Sequence, residues 1–235
     1  MKTPAVVFDL DGTLIDSIGG LFAAVNVALN DVGVPPPSKE QLGLFVGDGV
    51  VRLVHRALTG DNDGTADEAI FTRAMETFTS SYLNHCGEGS AFRLHAFETL
   101  AILRERGHLL GLLTNKPSAP TARILDHLGI ASWFRWTICP EDAGIRKPDP
   151  AGLTLIVCAS GENGTIMVGD SHVDCETAAR AGVPFVGIRG GYNRGRDIAI
   201  EEPTPAAVIS ELSELPSAVE RIATVVASWT PRPTS

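Results

Sequence analysis

The chain has 235 residues, enough for one large α/β domain or for a core with a smaller insert. Hydrophobic residues make up 44% and charged residues 20%, a balance that excludes a disordered chain. Nineteen basic against 28 acidic residues leave a net charge of −9. That field argues against nucleic acid and anionic membrane surfaces as partners, yet leaves room for a small anion in a local positive pocket.

Met1-Lys2-Thr3-Pro4 leads into Ala5-Val6-Val7-Phe8, an apolar run that predicts a strand buried on both faces of a parallel sheet. Asp9 directly behind it interrupts what would be the apolar stretch of a secretory signal. No run approaches the ~20 residues that span a bilayer, so a cytoplasmic protein is expected. Residues 16 to 90 then break with the strand pattern. Ile18, Leu21, Phe22, Val25, Leu29 and Val32 share one face of a long helix. Ser38 and Gln41 have capping-box spacing and open a short helix toward Val46. After Gly47-Asp48-Gly49, the residues Val50, Leu53, Val54, Ala57 and Leu58 restart a helical face. Ile70, Ala74, Phe78 and Tyr82 mark a fourth helix behind the polar turn Gly60 to Thr65. Four helices without a strand predict a small inserted bundle, with hinges near Asp16–Ser17 and Gly87–Ala91.

Alternation resumes beyond the insert. Apolar runs at Leu109–Leu113, Thr165–Val168 and Pro184–Ile188 read as strands. Between them come helices around Phe97 to Leu103, from Ser118 to Leu128 with Gly129 as stop, from an Asp149 cap with Pro150 at the first position, and from Asp174 to Ala181. This order implies a doubly wound parallel α/β sheet. The Trp133–Trp136 pair is expected to pack beside it, and the tail Trp229 to Ser235 to fray. Cys86, Cys139, Cys158 and Cys175 form no close pair and read as free thiols of a reducing compartment. The six histidines are scattered, and none is assigned a catalytic role.

Chemistry-bearing residues gather where strands end, which is where ligands bind in such sheets. Asp9 and Asp11 lie two apart and point to one side while the backbone stays extended. Two adjacent carboxylates are relieved by a divalent cation or by sharing a proton. Gly12 permits a sharp turn that brings N–H groups to an anion; the plain alternative is an ordinary Asp-Gly turn. Thr114 and Asn115 follow the second apolar run and suit a phosphoryl oxygen, although strand-to-helix turns favour these residues anyway. Lys147 is flanked by Arg146 and Pro148-Asp149-Pro150, which would either fix a cation at a helix start or leave a solvated lysine. Asp170, Ser171 and Asp174 follow the third run; oxygen ligands there suit Mg²⁺, while Asp174 also reads as a helix N-cap.

Taken in order, Val7-Phe8-Asp9-Leu10-Asp11-Gly12-Thr13, Leu113-Thr114-Asn115, Lys147-Pro148 and Val168-Gly169-Asp170-Ser171 with Asp174 resemble the four motifs of the haloacid dehalogenase-like superfamily. The resemblance spans essentially the whole chain. Phe45-Val46-Gly47-Asp48-Gly49 with Arg52 and Arg56-Ala57-Leu58, Gly111 to Pro117, and Gly190-Gly191-Tyr192-Asn193-Arg194-Gly195 are similar to its phosphoglycolate phosphatase-like members. The resemblance implies a Rossmann-like core at 1–15 and 91–235 and a type-one helical cap at 16–90. It implies a Mg²⁺-dependent hydrolase of phosphate monoesters, with Asp9 as nucleophile and Asp11 as general acid and base. Asp9, the Asp11 carbonyl and Asp170 would hold the metal, and Ser171 and Asp174 would stand behind them. Lys147 would place positive charge beside Asp9, and Gly12, Thr114 and Asn115 would take phosphoryl oxygens. Gly47, Asp48 and Gly49 would close over the substrate. Arg52 is either a ligand for a substrate carboxylate or a solvated arginine of the cap helix. Asp11 speaks against a dehalogenase, which needs no acid for an alkoxide leaving group. Other outcomes of the same resemblance are a sugar phosphatase, a pyrophosphatase, a phosphomutase, or a phosphate-dependent regulatory module without turnover. The expected partner is a small phosphorylated metabolite, and the expected assembly a monomer or homodimer.

Overall fold

A computed structural model describes residues 3–144 and 146–227; Met1-Lys2 and the tail Trp229 to Ser235 lie outside them. The core is a six-stranded, all-parallel sheet of β1 (Ala5–Phe8), β4 (Leu110–Leu113), β5 (Phe134–Ile138), β6 (Thr165–Gly169), β7 (Phe185–Ile188) and β8 (Ala207–Ile209). Its spatial order is β5-β4-β1-β6-β7-β8. The chain builds outward from β1 on one side and then crosses to β6 on the other. The strand order therefore reverses at β1, and the crevice at its carboxyl end is where such sheets bind ligands.

Apolar side chains of β1 alternate between two cores. Val6 and Phe8 pack with α5 (Ala96–Glu105), α6 (Ser118–His127) and α10 (Leu215–Ala227), while Val7 packs with Leu153 and Ile156 of α8 (Ala151–Ser160) and with Cys175 of α9 (His172–Arg180). Burial on both faces explains why β1, β4, β6 and β7 read as unbroken apolar runs. β5 and β8 are different. In β5, Phe134 and Ile138 are buried while Arg135 and Thr137 are exposed, so the segment expected beside the sheet is its outer strand. β8, beside β7 at the opposite edge, and α10 had no expectation at all.

Strand β1 is followed by β2 (Ile15–Asp16), and β2 pairs antiparallel with β3 (Ala91–Phe92). Between them lie α1 (Ile18–Asp31), α2 (Lys39–Phe45), α3 (Val50–Thr59) and α4 (Glu68–His85). The outgoing and returning chain thus run side by side, and Gly20 N donates to Gly89 O at 3.0 Å just beyond. Ser38 caps α2 by accepting from Gln41 N at 3.1 Å, as its spacing predicts. Asp31 at the end of α1 takes both Arg73 Nε at 2.9 Å and Nη2 at 3.0 Å from α4. Leu21, Val25, Leu42, Leu53, Phe78 and Tyr82 continue one core from the insert to the sheet. Ile70 does not join it, at 42% exposure. All four cysteines are free, and no helix among the described residues is long and apolar enough to cross a membrane.

Between β5 and α8 runs the short helix α7 (Pro140–Ala143) and the loop that carries Lys147. The N-cap of α8 is Pro150 and not Asp149 as expected; Asp149 lies one residue further out, where its Oδ1 still accepts from Ala151 N at 2.9 Å.

Candidate active site

Three strand ends meet at the β1 crevice, and each delivers one group. Asp9 extends β1, its N–H donating to Val168 O at 3.0 Å, so the ladder holds the backbone that carries the carboxylate. Thr114 extends β4 in the same way, with its N–H on Ile138 O at 3.1 Å. Asp170 follows β6. The side-chain oxygens of Asp9, Asp170 and Asp174 come within 4.8 Å of one another, and all three residues are buried. The cleft above them is also lined by Asp11, Lys116, Lys147, Gly47 and Gly49.

Lys147 joins the acids. Its Nζ donates to Asp9 Oδ1 at 2.7 Å and to Asp174 Oδ1 at 2.6 Å. Asn115 secures this lysine from behind: Lys147 N donates to Asn115 Oδ1 at 2.8 Å, and Asn115 Nδ2 donates to Lys147 O at 3.0 Å. Asn115 also lines the cleft, and the clasp uses only one of the two hydrogens on its Nδ2. Thr114 is buried and accepts from Lys116 N at 3.1 Å, leaving its hydroxyl proton for the cleft.

Asp174 is the third residue of α9 and not its N-cap. Ser171 holds that place, and Asp174 Oδ2 reaches back to Ser171 N at 3.1 Å and Ser171 Oγ at 2.6 Å. With Oδ1 on Lys147, both Asp174 oxygens are engaged. Gly169 makes the close approach possible, because a Cβ there would lie 2.5 Å from Asp174 Cβ. Asp170 accepts Thr13 Oγ1 at 2.6 Å on one oxygen and Tyr192 N at 2.5 Å on the other. Gly12, at φ +84°, turns the chain past it; a Cβ there would lie 2.4 Å from Asp170 Oδ2.

Asp11 belongs to a second network. Lys116 Nζ lies 2.9 and 3.0 Å from its two oxygens, and Ser17 Oγ donates to Oδ1. The Lys116 ammonium also sits 4.9 Å from the ring centroid of Tyr82 in α4. The two aspartates expected to share a cation or a proton each have their own lysine.

Charge in the cleft is unbalanced, since four carboxylates face two ammonium groups. Burial pushes the Asp9 carboxyl up to about 8, with Asp174 and Asp170 adding to it and Lys147 opposing. Burial likewise pushes Asp170 up to about 7, reinforced by Asp174 and opposed by its Thr13 and Tyr192 hydrogen bonds. Burial works against charge on Lys147, yet Asp174 and Asp9 hold its ammonium above its ordinary value. The site is short of positive charge, and its donors are all oxygen; a hard divalent cation fits both facts.

The insert closes the cleft from above through Val46, Gly47, Gly49 and Leu53. Asp48 points elsewhere. Its carboxylate takes Arg56 Nη2 at 2.6 Å and Arg194 Nη2 from the loop after β7. Arg56 is 2% exposed and also donates to Phe45 O at 2.9 Å and Asn62 O at 2.7 Å. Arg52 is not brought to the cleft: its Nη2 donates to Asn62 O at 3.2 Å, and the side chain is partly solvated. Residues without an assigned role that the structure places at the site are Lys116, Thr13, Ser17 and Tyr192. Arg93 joins them from directly behind β3, donating to the Gly12 and Arg189 carbonyls. Thr13 and Lys116 stand beside recognised residues, which was the available signal. Tyr192 and Arg93 are brought in only by the fold.

Comparison with known proteins agrees with this architecture. The haloacid dehalogenase-like hydrolase family model matches residues 6–188. A phosphoglycolate phosphatase of Pseudomonas putida is 39% identical over 213 residues, covering 89% of this chain and 77% of that relative. One from Pseudomonas syringae pv. tomato is 36% identical over 234 residues, covering 98% and 85%. A crystal structure described as a predicted phosphoglycolate phosphatase from Haemophilus somnus superposes with a TM-score of 0.83 at 28% identity, covering 92% of this chain and 98% of that one.

Proposed function

The chain belongs to the haloacid dehalogenase-like hydrolase family and is a phosphoric monoester hydrolase, and from that premise we propose that it is a Mg²⁺-dependent phosphoglycolate phosphatase working through an aspartyl-phosphate at Asp9. The observation that carries this reading is the Asp9 carboxylate itself. It stands buried at the end of β1 with Oδ1 on Lys147, while Oδ2 has no hydrogen-bond partner among the described residues. In the first step Asp9 Oδ2 bonds to phosphorus and the bond from phosphorus to the ester oxygen breaks. Asp11 gives that oxygen its proton, so glycolate leaves as the alcohol. Asp11 then takes a proton from the water that attacks the aspartyl-phosphate, releasing phosphate and restoring Asp9.

Lys147 keeps one Asp9 oxygen fixed and neutralises phosphate charge, and Asn115 and Asp174 hold Lys147 in place. Thr114 receives a phosphoryl oxygen, whereas the N–H groups of Gly12 and Thr13 are taken up inside the turn by Ile15 O and Leu10 O. Magnesium, held by Asp9, Asp170 and the Asp11 carbonyl, would supply the charge that lets two anions approach. We take residues 16–90 as the cap that excludes water when closed, in a cytoplasmic enzyme that meets a small phosphorylated metabolite.

Rapid acid quench with ³²P-labelled 2-phosphoglycolate tests the reading. Label on the peptide containing Asp9, absent when EDTA is added first, is the expected result. Turnover with no label at Asp9 overturns it.

A further inference from the structure

Phosphoglycolate carries a carboxylate besides its phosphate, and the residue that would receive it has not yet been assigned. The cations around the cleft narrow the choice. Lys147 is held between Asp9 and Asp174. Arg56 and Arg194 are both engaged by Asp48, and Arg52 lies on Asn62 outside the cleft. Arg146 is exposed, its guanidinium close to where a Cβ on Gly49 would lie, and it is not among the residues that line the cleft. Lys116 remains. It lines the cleft, is 6% exposed, and its ammonium lies between Asp11 and the face of Tyr82.

Distance supports the same residue. In an α-phosphoryloxy carboxylate the carboxyl carbon is two bonds from the ester oxygen, so its oxygens lie about 3–4 Å from that atom. Asp11 must come within hydrogen-bond reach of the ester oxygen, roughly 2.6–3.2 Å, to protonate it. Lys116 Nζ is 2.9 Å from Asp11 Oδ1, so a carboxylate in that position falls within its reach. A second observation is independent of Asp11. The Tyr82 hydroxyl beside this lysine is buried and has no hydrogen-bond partner among the described residues. An ammonium has three donors, and at this position it can face a ligand, the phenol and Asp11 together.

We propose that Lys116, with Tyr82 of the cap beside it, is the specificity-determining residue that binds an anionic group two bonds from the ester oxygen, so that the enzyme selects phosphate esters of α-hydroxy carboxylates. The inference rests on the phosphatase reading above and adds the residue that reads the carboxylate. It makes the specificity of the enzyme depend on a core lysine that the cap covers, and not on an arginine supplied by the cap helix.

The test is a cycle in which charge is removed from either side. The full-length enzyme and its Lys116→Met variant are each assayed with 2-phosphoglycolate and with its neutral amide. In the wild type the amide loses roughly 10- to 100-fold in kcat/KM, the range for a hydrogen bond to a charged group. In Lys116→Met the same exchange changes kcat/KM by less than about threefold, because the group that reads the charge is gone. An equal loss on the amide in both enzymes overturns the assignment, and so does a cycle that closes on Arg146→Ala instead. Turnover of neither compound by the wild type removes the phosphatase reading and this inference with it, whereas turnover of both without selectivity removes only the inference. Circular dichroism checks that the variant folds. If it does not, Lys116→Arg serves: it keeps the charge and must keep the preference for the carboxylate, and loss of that preference in a folded Lys116→Arg overturns the proposal.

Discussion

The floor of the cleft and its lid are both built from buried charge, yet they are organised differently. On the floor Asp9 and Asp170 come from the ends of parallel strands, Asp174 from the first turn of α9 and Lys147 from the loop before α8, and each is fixed by its own strand, cap or clasp. Above it the charges bridge separate parts of the chain: Asp48 of the insert to Arg194 after β7, and, within the core, Asp11 after β1 to Lys116 after β4, under Tyr82 of α4. The floor is suited to a reaction whose geometry must not change, and the bridges to contacts that break and remake when a lid moves. The difference teaches where mutations should stop chemistry and where they should shift selectivity or stability.

Asp9→Asn is the severest test of the floor. Turnover of p-nitrophenyl phosphate should fall on the order of 10⁴-fold or more, as expected for loss of a covalent nucleophile, with an unchanged circular dichroism spectrum. Near-normal turnover would end the account of the floor. Lys147→Met removes the one cation between two buried carboxylates, so it should cost about 3–5 kcal/mol in denaturant unfolding as well as most of the activity. Stability within 1 kcal/mol of wild type, by the rough scale for surface pairs, would show that the pair is not the anchor described here. Asn115→Ala leaves every charge in place and loosens only the lysine loop. It should lower kcat by up to about 100-fold with little change in KM; a KM effect alone would make Asn115 a phosphate ligand after all.

The smallest effects belong to the lid, and they should rank by burial. Asp48→Asn leaves Arg56 buried with a weakened partner and should destabilise more than Arg194→Ala, where the arginine is half solvated and worth at most about 1 kcal/mol. Burial favours the neutral form of Asp48, but its hydrogen bonds from Arg194 and Arg56 outweigh this and hold the carboxyl below the usual carboxylate range. A depressed value in the folded state means that the contribution is complete above the ordinary carboxylate pKa, about 3.9, and is lost as pH falls below it through the lowered value. The stability difference between wild type and Asp48→Asn should therefore be flat near neutrality and shrink only in strong acid. A difference that fades between pH 6 and 5, roughly the range of histidine titration, would assign it to another group.

What the sequence disclosed follows the same division. Asp9, Asp170 and the buried strands were legible because each signal is local: an apolar run, then an acid, then a glycine or a cap. Lys147 stood out through the Pro148-Asp149-Pro150 run that follows it and through its place in the order of the four motifs. Lys116 did not, because its meaning comes from Asp11 and Tyr82, which only the folded insert and β1 bring to it. The clasp of Asn115 on the backbone of Lys147 was not legible, because nothing in sequence shows that the two loops meet. Arg52 and Arg56 share one helix and differ by a single turn, and it is the second whose side chain turns inward. β5 escaped notice because an edge strand alternates exposed and buried residues, and β8 because three residues, two of them half-covered, carry almost no pattern.

The pairing of β2 with β3 has one further consequence. Ile15 faces Phe92 and Asp16 faces Ala91, so the chain departs from and rejoins the sheet at neighbouring points. Whatever hangs from those two strands can be lengthened, replaced by a different module or reduced to a simple turn without re-threading the parallel core. Chimeras that graft a foreign lid onto this ribbon should keep the hydrolytic machinery assembled while trading away its choice of ester, which makes the junction a natural seam for engineering and for evolutionary divergence.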